Sequence, residues 1–93
     1  MRILIVEDDV EAAEAMDRGL TEGGHECRRA VDGEEGLNLA RQAEFDVMIV
    51  DRMMPRMDGV TLVETLRRDG DQTPVLFLSA LGEINDRVTG LKA

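Results

Sequence analysis

Asp46-Val-Met-Ile-Val-Asp51-Arg-Met-Met-Pro55-Arg-Met-Asp58-Gly59 decides how the rest of the chain is read. Val47 to Val50 form an unbroken apolar run rich in branched residues, the mark of a strand buried on both faces. The run ends on a carboxylate, Asp51. In open α/β sheets the crevice at the carboxyl ends of the strands is where ligands bind. Asp51 is therefore the candidate reactive group, and Pro55 and Asp58-Gly59 mark a turn into the next segment.

Working outward, Ile3 to Val6 is a second apolar run, and Glu7-Asp8-Asp9 ends it. Val10, Ala13, Met16 and Leu20 recur at helical spacing until Gly23-Gly24. Residues 25–31 alternate loosely and carry Glu26, Arg28 and Arg29, which suits a sheet edge. Asp32-Gly-Glu-Glu35 reads as a capped helix start, followed by Leu37, Ala40 and Ala43. Val60, Val63 and Leu66 predict a third helix, closed by Arg67-Arg68 and Gly70. Val75 to Leu78 is a further buried strand, followed by Ser79-Ala80, and Ile84, Val88 and Leu91 predict a fourth helix.

The order is thus β-α-β-α-β-α-β-α over residues 1–93, one domain. Alternation of this kind implies a parallel sheet with right-handed crossovers and helices on both faces. The polar second strand goes outside, giving strand order 2-1-3-4. That order makes the first and third strands neighbours, so Glu7, Asp8 and Asp51 meet at their carboxyl ends.

Composition sets the bounds. A chain of 93 residues buries roughly 60–65% of its unfolded surface. Two Phe and no Trp or Tyr leave an aliphatic core and argue against stacking on nucleic-acid bases. Eleven basic and twenty acidic side chains give a net charge of −9, which repels phosphate backbones and anionic membranes. One cysteine, Cys27, excludes an internal disulfide. With no signal peptide or apolar span, the expected location is cytoplasmic.

Clustered carboxylates repel, so such a pocket needs a proton, a counter-cation or a metal. Mg²⁺ suits it, binding one or two carboxylates, several waters and phosphate oxygens; Mn²⁺ is the alternative divalent ion. Asp8, Asp51 and the backbone carbonyl of Met53 are the expected direct ligands, with Glu7 at longer reach through water. Asp51 could then attack phosphorus, since carboxylates form aspartyl-phosphates. Ser79 and the Ala80 amide are candidate hydrogen-bond donors to the transferred group. Asp9 and Asp58 read better as helix caps than as ligands, and Met53, Met54 and Met57 better as loop and packing residues than as a cofactor box.

These motifs resemble the receiver domain of two-component response regulators. The matching residues are Ile5-Val-Glu7-Asp8, Val50-Asp51-x-x-Met54-Pro55-x-Met57-Asp58-Gly59 and Leu78-Ser79-Ala80. The resemblance implies a flavodoxin-like three-layer fold. It implies a sensor histidine kinase as phosphoryl donor, Asp51 as acceptor, Glu7 and Asp8 as the acid pocket, and Ser79 as the switch hydroxyl. It makes the chain a labelled switch, not an enzyme, and the segment from Leu81 resembles the subfamily joined to a DNA-binding winged helix. Set against that family, the fifth strand and fifth helix are missing, as is the lysine that precedes a proline; Lys92 does not replace it. The expectation is a truncated fragment whose open fourth strand recruits a second copy, as a homodimer or strand-swapped assembly. The alternatives are a fragment that serves only as an interaction module, and an aspartyl-phosphate phosphatase, although Met53 stands where such enzymes place a second acid. A flavin module is disfavoured, because Glu7-Asp8-Asp9 would repel the flavin phosphate.

Overall fold

The computed structural model describes the backbone of residues 1–78 and 84–88, and side chains through Leu78. The elements are β1 (Arg2–Val6), α1 (Val10–Glu22), β2 (Glu26–Ala30), α2 (Gly33–Gln42), β3 (Val47–Asp51), α3 (Gly59–Arg68), β4 (Val75–Leu78) and β5 (Ile84–Val88). The first four strands are parallel in order β2-β1-β3-β4, as the alternation of elements predicts. The charged strand β2 lies at the edge, with Glu26, Arg28 and Arg29 exposed.

Helices cover both faces of the sheet. Leu4, Val6, Met48, Val50, Val75 and Phe77 point to the side where α2 and α3 pack, joined there by Leu37, Ala40, Leu62, Val63 and Leu66. Ile3, Ile5 and Ile49 point to the other side and meet α1 through Ala13, Met16 and Leu20. This is the period-two alternation of a strand, here apolar on both sides because both sides are covered.

The last element differs from expectation. Ile84–Val88 is not the start of a fourth helix but a strand, β5, antiparallel to β4 with Leu76 opposite Val88 and Leu78 opposite Ile84. Leu91 lies outside the described residues. A spacing of four places two apolar residues on one face in either the helical or the strand period, so Ile84 and Val88 do not separate the two. What decides is the edge of β4, whose backbone donors and acceptors need partners. The edge that was expected to stand open is therefore paired within the chain. A homodimer or strand swap through that edge loses its premise.

Candidate functional site

The register builds the site. Val6 lies opposite Val50, so the next residues, Glu7 just past β1 and Asp51 at the end of β3, come side by side at the carboxyl edge of the sheet. Oxygens of Glu7, Asp8 and Asp51 lie within 4.8 Å of one another. The three carboxylates differ in exposure: Glu7 is buried, Asp51 half-buried and Asp8 exposed.

Each acid is held by local chemistry. The Glu7 amide donates to the Ala30 carbonyl at 3.0 Å, which ties the exit of β1 to the end of β2. The Asp9 amide donates to Glu7 Oε2 at 3.0 Å. Asp9 itself is the cap of α1: its Oδ1 accepts from the amides of Glu11 at 3.0 Å and Ala12 at 3.4 Å. It is thus occupied by the helix, as expected of a cap. The Met53 amide donates to Asp51 Oδ1 at 3.2 Å.

Beyond Asp51, Gly59 starts α3 hard against the strand. A Cβ at Gly59 would strike the Asp51 carbonyl oxygen and the Val50 side chain. Glycine is needed here for close approach. Asp58 caps α3 by accepting from the Thr61 amide at 2.8 Å, and that bond holds its carboxyl below the usual carboxylate range.

Burial pushes the Glu7 carboxyl up from 4.5 to about 7. The Asp9 amide opposes the rise, and Asp51 and Asp8 add to it. Near neutral pH the cluster is therefore poised between holding a proton and holding a cation. Three hard oxygen donors converging on one point, with an acid among them reluctant to ionise alone, fit a small divalent ion.

Glu7, Asp8 and Asp51 are thus brought together as expected, and Met53 sits beside them through its amide. Ser79 and Ala80 lie outside the described residues; Leu78, immediately before them, pairs with Asp51 across the sheet. One contact near the site escaped the sequence reading. The Arg56 guanidinium, in the loop after β3, binds Asp32 at the start of α2 at 2.7 Å. The two lie 24 positions apart with no shared motif, so no local pattern announces the pair.

A parallel α/β sheet with an acid cluster at its carboxyl edge defines a class, and comparison with known proteins narrows it. Residues 3–93 match the response regulator receiver domain family, and the chain belongs to that family. Among curated relatives it is 46% identical over 92 residues to the probable transcriptional regulatory protein SilR of Salmonella typhimurium. It is 47% identical over 92 residues to the transcriptional activator protein IrlR of Burkholderia pseudomallei. In each case the alignment covers 99% of this chain and 40% of the relative, so the chain spans about two fifths of their length. Their names as transcriptional regulators agree with the resemblance to the winged-helix subfamily. Among solved structures, a Francisella response regulator receiver domain matches with a TM-score of 0.84 at 36% identity, covering 98% of this chain and 75% of that one. The response regulator TrrA of Thermotoga maritima, solved in complex with Mg²⁺ and beryllium fluoride, matches with a TM-score of 0.80 at 30% identity, covering 85% of this chain and 69% of that one.

Proposed function

We propose that this receiver domain accepts a phosphoryl group on Asp51 from the phosphohistidine of a sensor histidine kinase, with Mg²⁺ bound beside it. The convergence of Glu7, Asp8 and Asp51 at the carboxyl ends of two neighbouring strands carries this reading. Asp8, Asp51 and the Met53 carbonyl are the residues that would hold the ion. Glu7, with one oxygen already engaged by the Asp9 amide, acts at longer reach. The bound ion would neutralise charge on the transferred group and on the acids around it. The Mg²⁺ in the related TrrA structure supports the choice of ion.

In the transfer an Asp51 oxygen supplies the electron pair for the new P–O bond. The P–N bond of the donor breaks, and the imidazole nitrogen leaves with its pair. The transition state is loose, so positioning and charge neutralisation do most of the work. The Ser79 hydroxyl and the Ala80 amide remain the proposed donors to the transferred oxygens. The chain is a stoichiometric acceptor, not a turnover catalyst, and passes its state to an output that regulates transcription. It works in the cytoplasm and leaves DNA contact to that output; no described helix is long and apolar enough to cross a membrane.

The test is intact-mass measurement after incubation with acetyl phosphate and Mg²⁺. Wild type should gain one phosphoryl group per chain, chelator should prevent it, and Asp51→Asn should stay unlabelled. Labelling of Asp51→Asn at the wild-type rate would overturn the assignment of the acceptor.

A further inference from the structure

The loop from Arg52 to Asp58 joins Asp51 to α3. Its start is tied back by the Met53 amide on Asp51, and its end by the Gly59 amide on the Arg52 carbonyl at 3.0 Å. Its middle carries Arg56, the one non-glycine residue with a positive φ among the described residues, at 69°. An L-residue in that region is strained and persists only where its surroundings hold it there.

The side chain of Arg56 reaches Asp32. Arg56 Nε donates to Asp32 Oδ2 at 2.8 Å, and Nη2 lies 2.7 Å from the same oxygen as an ion-pair contact. The other oxygen, Oδ1, accepts from the Glu35 amide at 2.8 Å and caps α2. Asp32 is only 4% exposed. Asp32 is thus bonded on one side to its own helix and on the other to Arg56. The next residue on each side repeats the contact: a Cβ at Gly33 would strike the Met57 carbonyl. Two residues further back, Ala30 receives the Glu7 amide. The segment from Ala30 to Gly33 thus touches both the strand exit that carries Glu7 and the loop that carries Met53.

We infer that the Asp32–Arg56 pair is a positioning clamp for the acceptor site: anchored on the start of α2, it holds the loop that carries Met53 in place against Asp51. The inference rests on the proposed role of that site. Arg56 touches neither the ion nor the phosphoryl group in this account; it acts through the loop backbone. The clamp pre-forms the carbonyl side of the ion site, so that binding does not have to order the loop.

Arg56→Gly separates the clamp from the backbone, because glycine takes a positive φ without strain. This variant loses the ion pair without adding backbone strain, so it should still fold. In the metal-free protein, amides 52–57 should exchange hydrogen faster, while those of the β-strands stay as protected. Mg²⁺ affinity by calorimetry should fall about tenfold, the low end of what is lost when a ligand-orienting contact is removed. Labelling by acetyl phosphate should slow at limiting Mg²⁺ and recover at saturating Mg²⁺. Asp32→Asn, which keeps a capping oxygen and loses the charge, should show the same pattern, and Arg56→Lys should restore part of the affinity. Wild-type loop exchange and wild-type Mg²⁺ affinity in both Arg56→Gly and Asp32→Asn would overturn the clamp. Failure of the wild-type chain to bind Mg²⁺ would instead overturn the functional reading, and with it the clamp's role at the site. Loop exchange in the metal-free variants would still report whether the pair orders the loop.

Discussion

Glu7 stands at the buried end of β1, and its carboxyl titrates near 7 because leaving water penalises its charge and two acids face it. An acid whose pKa is raised on folding favours the folded state in its protonated form. That contribution is complete below about pH 4.5 and is lost as pH rises through about 7. Metal-free protein should therefore melt lower at about pH 8 than the rest of its charges dictate. Glu7→Gln should remove that slope and stabilise the metal-free chain by about 1–3 kcal/mol in alkaline buffer, read from urea melts at two pH values. Gly59→Ala should do the opposite at every pH. A methyl there meets the Asp51 backbone, which cannot yield as a flexible side chain would, and about 2–4 kcal/mol should be lost. At this scale the acids were readable from the sequence, since each ends or follows an apolar run. Asp9 and Asp58 were readable as caps because each stands immediately before a helical run. Arg56 was not, because its partner and its strained backbone are properties of the fold.

α3 shows how an element is held in two ways of unequal weight. Leu62 and Leu66 are fully buried between α2 and the sheet. Leu62→Ala should cost about 2–5 kcal/mol, for lost transfer energy and the cavity left behind. Asp58→Ala removes one capping bond at the exposed end and should cost clearly less. A chemical-denaturation series on the two variants checks the order; an equal cost would mean that the cap does more than satisfy one amide. β1, α1, α2, β3, α3 and β4 were readable because length and period agree in each. β2 was readable as an edge strand from its charges. β5 was not: Ile84 and Val88 fit two periods, and the deciding influence is the unpaired edge of β4, which the local sequence does not contain.

For the whole molecule, an ion held by the acid cluster would couple its binding to folding. Ligand that binds only the folded state stabilises it by mass action, about 1.4 kcal/mol at ten times the dissociation constant. For a domain of this size that is a rise of roughly 5–10 °C in melting temperature. Mg²⁺ should produce it in wild type, and Asp8→Asn and Asp51→Asn should lose most of it. No change in wild type would remove the ion from the account of this site. The topology that makes this coupling possible followed from alternation and from the polarity of one strand. The assembly expected of the molecule rested on an open β4 edge, which the chain itself covers.

The Met53 amide that rests on Asp51 Oδ1 offers a gauge that needs no added probe. Its proton lies on the Asp51 carboxylate, so a change of charge there must shift its resonance. The chain has six methionines, and ¹⁵N-methionine labelling would reduce the amide spectrum to a handful of peaks. One of them would report, in real time, whether Asp51 is bare, ion-bound or, as proposed, esterified.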